Sequence, residues 1–123
     1  MRIDTHHHLL PGIDDGCRDW NDTMANLQHM VQAGYSKIFC TPHCFNGMND
    51  KLDNQLISSS VVKLQATIVE HQIPVEILPG GEVYLLKDLA EQTKVKGLPT
   101  YGMSRQYVLV ETWVETWEPW HNK

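Results

Sequence analysis

The order of apolar segments along the chain constrains its fold more than any other feature. Four short runs with strand character cover residues 3–6, 37–43, 75–78 and 106–113, and a longer helical pattern separates each run from the next. Strands that alternate with helices in this way form βαβ units, which build parallel sheets. The sequence therefore predicts an α/β fold in which parallel strands alternate with helices.

The first predicted helix has the clearest periodicity. Its apolar side chains recur every three or four residues, at Trp20, Met24, Leu27, Val31 and Tyr35. Either Asp19 or Asn21 can cap its N-terminus, and Gly34 can end it.

Two further helices are predicted after the second and third strands. One covers about residues 50–72 and ends before Pro74, because proline disfavours helical backbone at the residue that precedes it. The other covers residues 87–97 and ends at Gly97.

Length and charge limit the classes of function. The chain has 123 residues, which fits one domain, and a formal net charge of −5. An acidic chain without a basic run is not expected to bind nucleic acid or anionic membrane, since both partners need a Lys/Arg patch. No apolar stretch approaches the roughly 20 residues of a membrane span, and no secretory signal is visible, so we expect a cytoplasmic protein. Three cysteines without a CxxC pair indicate reduced thiols.

Histidines at the end of the first strand suggest a metal site. Side chains alternate between the two faces of a strand, so His6 and His8 point one way and His7 the other. Two imidazoles on one face can bind one divalent ion. The alternatives are an exposed histidine pair or the remnant of a purification tag, although this run continues directly into an ordered-looking strand and loop.

Four other motifs contain candidate ligands at or just after strand ends. IDDG supplies carboxylate oxygens but is also typical of a turn with a capping aspartate, and His43 in TPH can equally be a hydrogen-bonded turn residue. Glu82 follows two glycines and Glu111 follows an apolar run; a buried carboxylate is costly unless it is paired or binds a metal. The remaining histidines outside the THHH run are interpreted as surface residues: His29, His71 and His121.

Taken together, these motifs predict a mixed histidine and carboxylate centre at the C-terminal ends of the strands. Such ligands suit Mn²⁺, Fe²⁺ or Zn²⁺ better than Ca²⁺ or a thiolate zinc site. Cys40 and Cys44 flank the TPH motif, but their spacing is weak support for zinc.

The same motifs resemble one known family. In order and spacing, residues 1–111 are similar to the bacterial tyrosine-protein phosphatases of capsular and exopolysaccharide gene clusters, within the polymerase and histidinol phosphatase (PHP) family. The motifs that carry the resemblance are IDTHHHLLPGIDDG, KIFCTPH, PGGEVYL and YVLVE. The resemblance implies that residues 1–111 form the N-terminal half of a distorted seven-stranded, TIM-like (β/α) barrel, a partial metallophosphatase domain, and that 112–123 form a divergent tail.

The resemblance also implies a centre of up to three metal ions, usually manganese. His6 and His8 would bind the first ion, Glu82 would bridge the first and second, Glu111 would bind the second, and Asp15 and His43 the third. The implied nucleophile is a water bound to these ions, so no cysteine nucleophile is required. The implied substrate is phosphotyrosine on a bacterial tyrosine kinase that regulates polysaccharide synthesis.

The sequence departs from the family after Glu111. Family members are about twice this length, and their later segments supply another histidine, a DxH pair and phosphate-binding arginines. His121 follows Glu111 too closely to replace that histidine. We therefore expect a fragment of a longer protein, a truncated gene product, or a half-barrel completed by self-association, in that order.

Two other functions stay open at this point. The chain could be a non-catalytic remnant that binds metal weakly. It could also be a PHP phosphatase that hydrolyses a small phosphoester such as histidinol phosphate.

Overall fold

The computed structural model describes residues 1–112 and 117–122 of the chain. In this part of the chain the strands are β1 (Arg2–His7), β2 (Tyr35–Cys40), β3 (His43–Cys44), β4 (Glu76–Pro79), β5 (Glu82–Tyr84) and β6 (Leu109–Glu111). The α-helices are α1 (Trp20–Gln32), α2 (Asn54–Glu70) and α3 (Leu89–Lys96), and two 3₁₀ turns cover Tyr101–Met103 and Pro119–Asn122.

All pairs of neighbouring strands are parallel, as predicted. One sheet has the order β1-β2-β4 and the other β3-β5-β6. The two sheets follow each other along the chain, because β2 leads into β3 through Thr41 and Pro42, and β4 leads into β5 through Gly80 and Gly81. The α/β architecture with parallel strands is thereby confirmed. The second predicted strand segment, residues 37–43, is divided between β2 and β3, and β5 lies beyond the third predicted segment, residues 75–78. Neither β3 nor β5 was predicted as a separate strand.

Gly81 lies at one of these breaks because a side chain would not fit there. A Cβ atom on Gly81 would lie 2.5 Å from Pro99 Cγ and 2.9 Å from Cys44 Sγ. Pro99 and Cys44 are buried, so neither can move away easily. The glycine therefore allows β5 to begin directly beneath the segment that follows α3.

The hydrophobic core lies between the first sheet and helices α1 and α2. On α2, buried side chains are spaced by four, three and four residues, at Ile57, Val61, Leu64 and Ile68. They pack in one cluster with Leu27 of α1, Ile38 of β2 and Ile77 of β4. This cluster holds the strands in the register that places their C-terminal ends side by side.

Capping residues fix the ends of the first two helices. Asp19, not Asn21, is the N-cap of α1, and its side chain accepts a hydrogen bond from Asp22 N. Asp53 does the same for α2 by accepting from Leu56 N, so this helix begins later than predicted. Gly34, in the left-handed conformation with φ +86°, follows α1 as predicted.

The last strand is shorter than predicted. Residues 101–107 turn back on themselves, with Tyr101 N donating to Tyr107 O and Arg105 N donating to Thr100 Oγ1. Only Leu109–Glu111 then pairs with β5. Trp113, the predicted end of this strand, lies outside the described residues, as do 114–116 and 123 of the predicted tail. In the described part of the chain, no helix has the length and apolarity to cross a membrane.

Candidate metal centre

The structure brings all six predicted site residues together at or just beyond the C-terminal ends of the strands. Their ligand atoms form three groups of three, and within each group these atoms lie within 4.8 Å of one another. The groups are His6, His8 and Glu82; His8, Asp15 and His43; and His43, Glu82 and Glu111. The groups share residues, so they form one connected cluster.

The first group joins the end of β1 to the start of β5. Glu82 Oε2 lies 3.1 Å from Nε2 of His6 and 3.1 Å from Nε2 of His8, and the two Nε2 atoms are 3.3 Å apart. The Glu82 side chain is 11% exposed, whereas that of His6 is 46% exposed. One side of this group is therefore buried in the protein and the other opens to solvent.

His43 connects the other two groups. Its Nε2 lies 3.5 Å from Asp15 Oδ1, and its Nδ1 lies 2.9 Å from Glu111 Oε2 and 3.2 Å from Glu82 Oε2. This proximity follows from strand pairing, because His43 and Glu82 are Cα partners in the β3–β5 ladder. The grouping differs in detail from the predicted one, since His8 lies near Asp15 and His43 lies near Glu111.

Asp14 was not among the predicted residues and belongs to none of the three groups. It lies beside the cluster, however, and is more buried than any carboxylate in it. Its side chain is 1% exposed, and its Oδ2 accepts a 2.7 Å hydrogen bond from His8 Nδ1 and a 2.9 Å bond from His43 N. Its Oδ1 accepts a bond of 3.0 Å from Gly16 N. The two adjacent aspartates of IDDG were the available signal, but the sequence could not tell which one turns inward.

These contacts shift two pKa values in opposite directions. The hydrogen bond to Asp14 raises the pKa of His8 above its ordinary value, against the effect of burial, and nearby carboxylates add to the increase. Burial alone would raise the pKa of Asp14, but hydrogen bonds from His8, His43 N and Gly16 N outweigh it and lower this pKa. Asp14 is therefore ionised at neutral pH and holds the Nδ1 proton of His8.

The donor set fits a divalent cation. Because the proton of a neutral His8 ring is on Nδ1, its Nε2 presents a lone pair to the point that Glu82 Oε2 also faces. Two lone pairs directed at one point repel each other unless a cation or a proton lies between them. Imidazole and carboxylate ligands together suit Mn²⁺, Fe²⁺ or Zn²⁺.

Two neighbours of the cluster have other partners. His7 points away from the three groups, and its Nδ1 lies 2.8 Å from Asp4 Oδ2. Gly16 lies so close to His8 that a Cβ atom would collide with the His8 carbonyl oxygen and Cβ. The loop can fold over His8 in this way only because residue 16 has no side chain.

The thiols take no part in the cluster. Cys17, Cys40 and Cys44 are free and buried, and none belongs to the ligand groups found among the described residues. Burial raises the pKa of the Cys40 thiol and raises that of Cys44 to about 12. Both therefore remain protonated and poorly nucleophilic at neutral pH.

The remaining histidines lie outside these groups. His29 and His71 are exposed, as predicted. His121 is only partly exposed, because its ring stacks on Trp117 and packs against Trp120.

Comparison with known proteins places the chain in a family. The profile described as "Capsular polysaccharide synthesis, CpsB/CapC" matches residues 2–118. The chain belongs to this family. It is 28% identical to tyrosine-protein phosphatase YwqE of Bacillus subtilis over 109 residues, and 30% identical to tyrosine-protein phosphatase CpsB of Streptococcus agalactiae serotype V over 122 residues. These matches confirm the resemblance that the motifs indicated.

A solved structure supports the same relationship. The match is to the crystal structures of YwqE from Bacillus subtilis and CpsB from Streptococcus pneumoniae, described as metal-dependent tyrosine phosphatases, with a TM-score of 0.81 and 27% identity. It covers 90% of this chain and 44% of the other. The sequence matches cover 89% and 97% of this chain but 42% and 49% of YwqE and CpsB. The chain therefore spans about half the length of the curated relatives it matches.

Proposed function

We propose that this chain is the metal-binding portion of a metal-dependent protein-tyrosine phosphatase. The observation that carries the proposal is the convergence of three histidines and three carboxylates, which come from separate strands and loops, into three connected groups. An isolated polar cluster would not need to share its members in this way. The similarity of the chain to tyrosine-protein phosphatases supports phosphate ester hydrolysis as the reaction.

The proposed ligands are the six residues of the cluster, and up to three Mn²⁺ ions are the proposed cofactor. Glu82 Oε2, within 3.2 Å of nitrogen atoms of three histidines, is the proposed bridging ligand. Asp15 is 61% exposed and is the ligand most open to an incoming phosphate. Because His8 and His43 each belong to two groups, their roles are broader than the motifs alone implied.

Bound divalent ions would supply Lewis acid chemistry, neutralising phosphate charge and activating water. The protein side chains would hold these ions at fixed separations. Glu82 and Glu111, whose side chains are 11% and 10% exposed, would form the buried wall of the site. His6 and Asp15 would form its open edge, where a phosphotyrosine side chain can enter. Because the Cys40 and Cys44 thiols are buried and protonated, neither is proposed as a nucleophile.

Other features of the whole protein are proposed on the same basis. Residues 1–111 would form part of a distorted (β/α) barrel, and 112–123 a divergent tail. The proposed substrate is phosphotyrosine on a bacterial tyrosine kinase that regulates capsule or exopolysaccharide synthesis. The buried free thiols fit the reducing environment of the cytoplasm, which is the proposed location.

Phosphate release tests the proposed activity. We expect Mn²⁺ to stimulate hydrolysis of p-nitrophenyl phosphate and of a phosphotyrosine peptide, and we expect vanadate not to inhibit it. Glu82→Ala should abolish the Mn²⁺-dependent rate, whereas the exposed His71→Ala is the matched control and should retain it. No hydrolysis by folded protein at any Mn²⁺ concentration would refute catalysis by this chain.

The substrate class needs its own comparison. Rates on the phosphotyrosine peptide should exceed those on histidinol phosphate at equal concentration. A preference for histidinol phosphate would keep the metal centre but replace the proposed substrate with a small phosphoester.

A non-catalytic role is the second candidate. The observation behind it is that the chain spans about half the length of the tyrosine-protein phosphatases it resembles. Isothermal titration with Mn²⁺ separates the two candidates. Binding that is lost in His6→Ala and Glu82→Ala, without hydrolysis, would identify a metal-binding protein that is not an enzyme.

A further inference from the structure

We propose that Asp14 is a positioning residue. It fixes the tautomer of His8 and the placement of His43, and through these two histidines it affects the whole cluster. The proposal rests on the proposed function in one respect, namely that these histidines bind metal. Asp14 itself is not assigned as a ligand. Its role would be to prepare two histidines that together belong to all three groups.

Burial and hydrogen bonding show why Asp14 can do this. Its side chain is 1% exposed, and both of its oxygens accept hydrogen bonds from donors in two separate segments. His8 begins the loop after β1, Gly16 lies two residues after Asp14 in the same loop, and His43 begins β3. A carboxylate accepts hydrogen bonds and donates none, so it holds all three N–H groups at once.

The tautomer of His8 follows from this contact. Nδ1 of His8 lies 2.7 Å from Asp14 Oδ2, so the single proton of a neutral ring is held on Nδ1. Nε2 then carries a lone pair, which is the form that a metal ligand requires. The opposite tautomer would place a proton on Nε2, between His8 and Glu82, and would block an ion from that position.

The same oxygen that fixes His8 also fixes the β3 backbone. Asp14 Oδ2 accepts from His43 N at 2.9 Å, which ties the first residue of β3 to the loop after β1. His8 belongs to the first and second groups, and His43 to the second and third. Loss of Asp14 is therefore expected to weaken all three groups together.

Asp15 provides the contrast. It is adjacent in sequence and has the same charge, but its side chain is 61% exposed and it belongs to one group only. Loss of Asp15 is expected to weaken that group and to leave the His8 tautomer unchanged. Comparing variants of the two aspartates therefore distinguishes the loss of a residue that positions the ligands from the loss of a ligand itself.

Nitrogen-15 NMR of the metal-free protein tests the tautomer directly. At alkaline pH, where His8 is neutral, the wild-type ring should show a protonated Nδ1 and an unprotonated Nε2. Asp14→Ala removes both acceptor oxygens, so the ring should shift toward the other tautomer. Asp15→Ala should resemble the wild type.

Calorimetric titration with Mn²⁺ tests the consequence. Asp14→Ala should bind every Mn²⁺ about 10- to 100-fold more weakly than wild type, the range typical for loss of a residue that orients a metal ligand. Asp88→Ala is the matched control for charge, because Asp88 is exposed and contacts Gln92 at the start of α3. Thermal unfolding of the metal-free variants reports whether each is folded.

Three results would overturn the proposal. They are a protonated Nε2 in wild-type His8, an unchanged tautomer in folded Asp14→Ala, or equal Mn²⁺ affinity in Asp14→Ala and wild type. The wild-type spectrum decides the first point even where the variant does not fold. If wild type binds no Mn²⁺, the proposed function fails, but the NMR comparison still decides whether Asp14 sets the tautomer.

Discussion

The two sheets of this chain are built from different kinds of interaction. The β1-β2-β4 sheet has strands of four to six residues and packs its apolar side chains against α1 and α2. The β3-β5-β6 sheet has strands of two or three residues and contributes His43, Glu82 and Glu111 to the cluster. Apolar burial therefore dominates the first sheet, and polar contacts between ligand side chains are concentrated in the second.

We therefore expect the first sheet to determine the stability of the protein and the second sheet to determine its binding of metal ions. Strands of two or three residues bury too little apolar surface to specify their own pairing. Two of them, β3 and β5, follow directly from β2 and β4 of the first sheet, which fix their direction. We therefore expect substitutions in the two regions to have different consequences, and the following variants test that expectation.

The largest effect is expected from Leu64→Ala in α2. Leu64 is fully buried in the core cluster, and its truncation should destabilise the protein by about 2–5 kcal/mol. Urea unfolding measures this loss. The fraction that stays folded should bind Mn²⁺ as wild type does, and a folded variant with weakened binding would show that the two regions are coupled.

Glu82→Gln should weaken Mn²⁺ binding and leave stability nearly unchanged, which is the reverse of the result expected for Leu64→Ala. The glutamine has nearly the same volume but removes a charge shared by two of the three groups, so Mn²⁺ affinity should fall by at least about 10- to 100-fold. The metal-free stability should change little, since a buried carboxylate is itself costly. Calorimetry measures the Mn²⁺ affinity and urea unfolding measures the stability. A large loss of stability with normal Mn²⁺ binding would contradict the proposal that Glu82 is a metal ligand.

His7→Ala should have a small effect. His7 lies between two ligands in sequence, but its ring pairs with Asp4 rather than with the cluster. We expect a stability loss of about 1 kcal/mol, typical of one hydrogen bond, and unchanged Mn²⁺ affinity. Weakened Mn²⁺ binding in a folded His7→Ala variant would contradict the inference that strand alternation directs His7 away from the cluster.

Thiol modification should have the smallest effect. The thiolate forms only as the pH rises through the thiol pKa, and burial places that of Cys44 at about 12. Iodoacetamide at neutral pH should therefore leave Mn²⁺ binding and any phosphatase activity unchanged. Mass spectrometry shows whether alkylation occurred, and inactivation that parallels alkylation would indicate cysteine chemistry.

The sequence predicted which side chains lie close together better than it predicted the details of the fold. Strand alternation separated His6 and His8 from His7, and strand-end placement identified His43, Glu82 and Glu111. These inferences depend only on local geometry. They hold wherever a strand forms in the expected place.

Features that depend on tertiary contacts were not predicted. Which of Asp14 and Asp15 turns inward depends on donors from His8 and from the His43 backbone, which are distant or ambiguous in sequence. The late start of β6 depends on the hydrogen bond between Tyr101 and Tyr107. Local propensity carries no information about either contact.

Because His43 pairs with Glu82 across β3 and β5, the cluster forms only when these two strands are correctly aligned. If β5 slipped by one residue against β3, Val83 would face the ligands and Glu82 would face the core, because side chains alternate along a strand. Such a chain could not assemble the donor set. An ion that binds only the correct alignment would stabilise it by mass action, so that Mn²⁺ present during refolding would select native molecules from misaligned ones.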